Sequence, residues 1–388
     1  MTVEMKKYRL ADIAEIVISS VDKKTKPGEK IVRLCNFTDV YHNWAIKQSD
    51  YDSFMVASAS DSNINKLSLK KGFVAFTKDS ETRDDIGIST YIADDFDDVV
   101  LGYHCALAKP NEKIVYGKYL NAFMSSDYIK KYFELNATGS GMRFTLAVST
   151  MEDMPIMLPS LNVQKKIGDM LSDFDKRIEN LRAQNRVLEQ TAKTIYDYTF
   201  LQCGNAEVVY DAALKRKVPI GWGVKKVSDF CNVVTGKQDA NFATENGMYP
   251  FFTCSKEPLR CDRAVFSGDA VLISGNGDFN VKHYCGEFNA YQRTYVLIPS
   301  DKLYYGLVYF SAKAKISSFL QGANGSIVKF IHKSDVENIP LLIPHEKGIL
   351  NTINNLLRKQ LHNSKQIETL TTQRNTLLPR LMTGQIEV

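Results

Sequence analysis

The chain states its architecture twice. Met154-Pro155-Ile156-Met157-Leu158-Pro159, followed by a long amphipathic pattern, returns as Ile339-Pro340-Leu341-Leu342-Ile343-Pro344, followed by another. Upstream, Leu10-Ala11-Asp12-Ile13 is echoed by Val227-Ser228-Asp229-Phe230. An internal repeat constrains the fold more than any local motif, because each copy must close its own core. Each half is therefore expected to be a globular domain leading into a helix: domains at 1–158 and 204–343, helices at 159–203 and 344–388, the last with a tail. The interiors disagree, since Asp12 stands 143 positions before Pro155 and Asp229 only 111 before Pro340. A duplicated frame around unequal interiors suggests two related domains bent to two different targets.

The helical patterns are duplicated down to their register. From about Leu161 to Phe200, apolar positions keep strict 4-3 spacing at Ile167, Leu171, Phe174, Ile178, Leu181, Asn185, Leu188, Ala192, Ile195 and Thr199, a coiled-coil seam. From about Glu346 to Leu378 the stripe returns 182 residues later at Ile349, Ile353, Leu356, Gln360, Asn363, Ile367, Leu370, Arg374, Leu377 and Leu381. Two such seams in one chain can pair with each other. At ~1.5 Å per residue the helices would be roughly 50 to 60 Å long. Antiparallel pairing, favoured by the chain's return to begin its second domain near Asn205, would make them a ruler between the domains. The polar seam positions Gln360, Asn363 and Arg374 either fix register or accompany a face for another protein, because Leu350, Leu357 and Leu361 lie off the seam. Such a leucine face also makes self-association without partners plausible.

Within the domains, strand-like runs fall at Lys30 to Phe37, Gly72 to Phe76 and Val99 to Leu107, with a helical run from Lys118 to Leu135. The second domain parallels them with Tyr249 to Thr253, Ala270 to Ser274, Tyr291 to Ile298 and a helix over Leu303 to Leu320. The expected class is α+β: two mixed α/β domains joined by two long helices that pair as an antiparallel coiled coil, with a pseudo-two-fold repeat.

The loops between these runs carry the chemistry. In the second domain they supply Lys237, Gln238, Ser274, Asn276, Tyr291, Gln292, Arg293, Asn324 and Ser326, among glycines that let backbone N–H groups approach phosphates. Gln, Asn, Arg and Lys can pair with base edges in a major groove. The first domain offers Ser20, Lys78, Arg83, Tyr103, His104, Ser140 and Arg143 at comparable places. Tyr103-His104 stands six and five residues before Lys109, as Gln292-Arg293 does before Ile298. These residues are the candidate duplex-DNA contacts.

Charge allows such a role only locally. The net charge is +5, but residues 1–158 hold 20 basic against 22 acidic side chains, so neither domain has the overall basic excess of a small nucleic-acid module. Seven cysteines without a Cys-x-x-Cys spacing argue against a disulfide framework. Cys254, Cys261, His283 and Cys285 fit no standard zinc pattern and read as core packing, so no metal is expected. No apolar run approaches a membrane span and Met1 to Leu10 lacks a signal core, so a soluble cytoplasmic chain is expected. Catalytic patterns are missing too: there is no Pro-Pro pair for an amino-methylating motif, no His-Glu-x-x-His, and Thr235-Gly236-Lys237 lacks the upstream glycine of a P-loop.

Together, two variable domains, each ending in a Pro-x-x-x-Pro exit and a coiled-coil helix, resemble the DNA-specificity subunits of type I restriction-modification systems. Gln164-Lys165-Lys166-Ile167 with Leu171, the run Gly268-Asp269-Ala270-Val271-Leu272-Ile273-Ser274, and the tail Gln373-Arg374-x-x-Leu377-Leu378-Pro379-Arg380-Leu381-Met382-Thr383-Gly384-Gln385-Ile386 look like that family's recurring segments. The glutamate usual beside Gln164 is missing, and His345-Glu346-Lys347 replaces the usual Glu-Gln. The resemblance implies a non-catalytic chain whose two target-recognition domains each read half of a split asymmetric DNA site. It implies two methyltransferase subunits as partners, binding S-adenosylmethionine, and through them restriction subunits using ATP and Mg, with no cofactor in this chain. Two alternatives remain: the specificity chain of a fused type II nuclease-methyltransferase, and, more distantly, a coiled-coil scaffold that binds no DNA.

Overall fold

The computed structural model describes residues 4–386 except 213, 246, 278 and 323–329. Contacts divide it into two compact units, Met1–Glu179 with Glu368–Val388, and Asn180–Ile367. Each unit holds one domain together with one end of both long helices.

In the first unit, β1 (Lys6–Arg9) pairs antiparallel with β7 (Pro155–Leu158). Between them run β2 (Ala14–Ile18), β3 (Ala45–Ile46), β4 (Val74–Thr77), β5 (Ser89–Ile92) and β6 (Cys105–Pro110), in one sheet of order β2-β6-β4-β5-β3. Only β3 on β5 is parallel. In the second unit, β8 (Gly223–Lys226) pairs antiparallel with β14 (Pro340–Ile343). Between them lie β9 (Cys231–Thr235), β10 (Tyr249–Phe252), β11 (Phe266–Ser274), β12 (Val281–Ala290) and β13 (Thr294–Pro299), in the order β9-β13-β11-β12-β10, with Leu259–Cys261 added at the β10 edge. The parallel pair is again the outer one, β10 on β12. Every strand of the first frame thus recurs seven labels later.

The echoed sequences make the same bonds. Arg9 donates its N–H to Asp12 Oδ2 at 3.1 Å, and Lys226 donates to Asp229 Oδ2 at 2.9 Å. Leu10 N–H reaches the Met154 carbonyl at 3.0 Å, as Val227 N–H reaches Ile339 at 3.0 Å. Each proline exit opens a two-stranded ribbon, Pro155 opposite Arg9 and Pro340 opposite Lys226, a strand-end place where a missing N–H costs no ladder bond. The copies diverge mainly between β2 and β4, residues 19–73 against 236–265 in the second. Strands Lys30–Cys35 and Met55–Ala59 from that segment form, with Val99–Leu101, a second sheet of the first unit over its own buried cluster.

Several sequence expectations need correction. Val99 to Leu107 is two strands, Val99–Leu101 and Cys105–Pro110, separated by a turn in which His104 has a φ of 72°. The run from Lys118 to Leu135 is two helices, Gly117–Met124 and Asp127–Asn136. Ser125 and Ser126 bond back to Asn121 and Phe123 carbonyls, competing with continuation of the helix. Tyr291 and Gln292 belong to the turn before β13, which begins only at Thr294. The helix expected over Leu303 to Leu320 begins at Tyr305, after a short turn over Lys302–Tyr304.

The first long helix runs Leu161–Tyr196 and widens into a π turn at Asp197–Leu201. The second runs Gly348–Met382, past the expected stop at Leu378 and through Pro379. The proline lacks one helix donor, but Leu381 and Met382 beyond it are buried in the first unit's core. In that unit Ile167 and Leu171 share this core with Leu377, Leu378, Leu381 and Met382, while Asp175 bonds Arg374 at 2.5 Å. In the second unit Ala192 and Tyr196 share a core with Leu350, Ile353 and Leu357, while Gln184 and Asn185 bond Asn363 and Ser364. Numbers rising along one helix meet numbers falling along the other, so within each unit the segments run antiparallel.

Along the seam Ile167, Leu171, Ile178 and Ile353 are buried; Phe174, Leu181, Asn185, Leu188, Leu356, Ile367, Leu370 and Leu377 are partly so. The free leucine face does not exist as expected. Leu350 and Leu357 are buried in the second unit's core and Leu361 is partly buried, because the helix packs on its domain as well as on its partner helix.

Candidate nucleic-acid interface

The matched sheets place the candidate loops at matched corners. At the end of β2, Ser19 N–H bonds the Cys105 carbonyl at 3.0 Å; at the end of β9, Gly236 N–H bonds Thr294 at 3.2 Å. Lys78 N–H, just past β4, reaches the His104 carbonyl at 2.9 Å, and Gly275 N–H, just past β11, reaches Arg293 at 2.8 Å. Tyr103-His104 and Gln292-Arg293 therefore occupy the same turn in the two copies.

In the first unit, Lys78, Tyr103, His104 and Arg143 line one open concavity of about 790 Å³, with Met142, Phe144 and Thr145 among its walls. Ser140 and Arg143 face each other across a hairpin whose two-residue loop is Gly141-Met142; Gly141 takes a φ of 68°, which suits glycine at the first loop position. Arg83 lies 5.2 Å over the Phe144 ring and Lys78 Nζ 5.6 Å over that of Tyr103. Ser20 is exposed beside Val21, whose carbonyl accepts from Tyr103 N–H at 2.7 Å. At the centre stands Asp79, which the sequence reading did not single out. It accepts from Lys78 Nζ at 2.8 Å and Thr145 Oγ1 at 2.5 Å, and His104 Nδ1 lies 2.7 Å from Oδ2. Burial pushes its pKa up, but these three bonds prevail and hold it below the usual carboxylate value. Asp79 is thus the hub that orients the basic side chains around it.

In the second unit the corner is assembled differently. Gln292 N–H bonds the Gln238 carbonyl at 2.9 Å, and its side-chain amide donates to Asp239 at 3.1 Å. Tyr291 bridges Gln238, while Lys237, Gln292 and Arg293 are exposed. Gly236 is obligatory here, because a Cβ would fall 1.9 Å from the Ala290 carbonyl oxygen. Asn276 accepts from Cys254 Sγ at 3.0 Å. Ser274 is a correction: its side chain is buried and bonds Asn280 Oδ1 at 3.0 Å, so it pins the loop and faces no solvent. Asn324 and Ser326 lie outside the described residues. Lys282, another residue missed from sequence, donates to the Thr253 carbonyl at 2.8 Å, and burial lowers its pKa to about 8.

Other titratable groups are structural. His283 bonds Tyr305 and Gln360, and burial lowers its pKa. Cys285 bonds Asp269, which also takes Arg358 at 3.1 Å. Gln164 is buried, accepting from Tyr116 N–H and donating to the Ile114 and Pro159 carbonyls, which fastens the start of the first long helix to its domain. Among the described residues no group of three or more His, Cys, Asp or Glu could hold a metal, and no helix is long and apolar enough to cross a membrane.

The family model described as the type I restriction modification DNA specificity domain matches residues 2–190 and again 219–372. The chain belongs to that family. This specificity chain is 37% identical over 128 residues to the type I restriction enzyme EcoDI specificity subunit of Escherichia coli, covering 33% of this chain and 29% of that one. To the MjaIX specificity subunit of Methanocaldococcus jannaschii it is 27% identical over 312 residues, covering 72% of this chain and 71% of that one. The crystal structure of a type I restriction-modification S subunit from M. genitalium shares the fold, with a TM-score of 0.60 over 98% of this chain and 96% of that one, at 16% identity. Both curated relatives are type I, so the fused type II alternative is not favoured, and neither is a scaffold without DNA.

Proposed function

We propose that this chain directs a type I restriction-modification enzyme to a bipartite asymmetric duplex site, one half read by residues 1–158 and the other by residues 204–343. The observation that carries the proposal is the matched pair of corners: the same turn at the same sheet end, with basic, amide and aromatic side chains of different identity. Phosphate contacts from lysines and loop amides would position each domain and a few side chains discriminate bases, each good pair giving roughly 1 to 3 kcal/mol. The paired helices, 159–203 and 344–388, set the length of the unread spacer; half-sites one turn apart lie ~34 to 36 Å centre to centre.

The chain itself is non-catalytic. It recruits two methyltransferase subunits and, through them, restriction subunits, so that S-adenosylmethionine, ATP and Mg are bound by those partners and by no residue of this chain. Mapping methylated bases genome-wide with and without the gene tests this reading. A split motif that disappears with the gene is expected; an unchanged methylation pattern contradicts it.

A further inference from the structure

One side chain in the first unit's concavity is held more firmly than a solvent-facing turn requires. His104 has a φ of 72°, a left-handed conformation that is sparsely populated by residues with a β-carbon and tends to mark functional positions. Its carbonyl is tied to Lys78 N–H, its ring meets the Tyr103 ring at 4.1 Å edge-on, and its Nδ1 lies 2.7 Å from Asp79 Oδ2. A carboxylate can only accept, so Nδ1 carries the hydrogen and in the neutral ring Nε2 presents a lone pair. Nε2 makes no hydrogen bond among the described residues, and the side chain is 50% exposed beside Lys78 and Arg143.

We propose that His104 Nε2 is a base-reading atom of the first unit, accepting a hydrogen bond from an exocyclic amino group, adenine N6 or cytosine N4, in the major groove. The exposed Arg143 beside it holds a phosphate, while Lys78 stays paired with Asp79. This rests on the duplex-reading function proposed above. The second copy supplies an internal contrast: the matching residue is Arg293, at an ordinary φ, a fork of donors suited to guanine O6 and N7. At one position of one frame, the two copies present opposite hydrogen-bond polarity. Asp79 is the positioning residue that fixes the tautomer and aims the ring.

The test selects duplexes from a randomised library with the full chain at several salt concentrations. His104→Asn suits a positive φ but is too short to reach. It is expected to lose preference at one base pair of one half, by roughly tenfold or more, with every other position kept. At that base, replacing the amino group by hydrogen (purine for adenine, pyrimidin-2-one for cytosine) weakens the wild-type chain by a similar factor and leaves His104→Asn unaffected. The analogue arm needs only wild-type protein, so a misfolded variant does not spoil it. The proposal is overturned if His104→Asn selects the full wild-type motif, if it weakens all sequences alike as a phosphate contact does, or if wild type binds the amino-less analogues as well as the natural duplex. A wild-type chain that selects no motif at any salt removes the DNA-reading function itself, a different failure that no variant is needed to see.

Discussion

At the turn entering β6 the first unit holds His104 on an Asp79 hub, whereas at the same turn entering β13 the second unit leaves Arg293 exposed beside Gln292. The backbone bonds around both turns are the same pair, Lys78 to His104 and Gly275 to Arg293. Frame and reader are therefore separable: main-chain bonds and the proline exits decide where a side chain stands, and the side chain decides what is recognised. Since main-chain bonds do not depend on side-chain identity, the corners can change without disturbing the sheets. Substitutions in the frame should cost stability and leave the recognised sequence alone, and substitutions in a corner should do the reverse.

The largest effect should come from the helices. Deleting one heptad from each should shorten the unread spacer of the methylated motif or abolish methylation; active protein with an unchanged spacer would refute the ruler. Next, Arg374→Met removes the guanidinium that bonds buried Asp175 and lies 5.6 Å over Trp44. Removing one partner of such a pair should destabilise the first unit by about 3 kcal/mol, read by denaturant melts, with no change in the motif. An altered motif would break the separation of frame from reader.

Much of the frame was legible because its signals are local and periodic. The Asp12 and Asp229 turns, the proline exits and the 4-3 stripes each depend on neighbours a few residues away. Illegible were features set by distant contacts. Leu350 and Leu357 are covered by the second unit's own core, which no heptad count reveals. Asp79 became a hub only because Thr145, 66 residues away, and His104, 25 away, come to it. The turn at His104 hid inside an apolar run, and of the first unit's second sheet the runs at Lys30 and Val99 were read as strands while Met55–Ala59 was not. Sequence matching did place Tyr103-His104 opposite Gln292-Arg293, because spacing to the next strand is counted along the chain.

In the corners, effects should be smaller and of another kind. Arg143→Ala should weaken binding about equally across sequences and reduce the salt slope by about 1, while Gln292→Ala should relax one base position of the other half. Fluorescence anisotropy against single-base variants separates the two, and identical profiles would blur the distinction drawn between phosphate and base contacts.

The smallest expected effect concerns Lys282. Burial lowers its folded pKa to about 8 from 10.5, so between those values the unfolded chain binds more protons and stability should rise with pH. Lys282→Met should remove that rise in thermal melts between pH 8 and 10.5; an equal rise in the variant would show that Lys282 is not its source.

The central claim is that one frame is used twice to read two different half-sites. The direct measurement replaces residues 1–158 with the corresponding domain of another specificity chain and maps the methylated motif in cells. The account predicts that one half of the motif changes while the other half and the spacer stay; a change in both halves, or in neither, would contradict it.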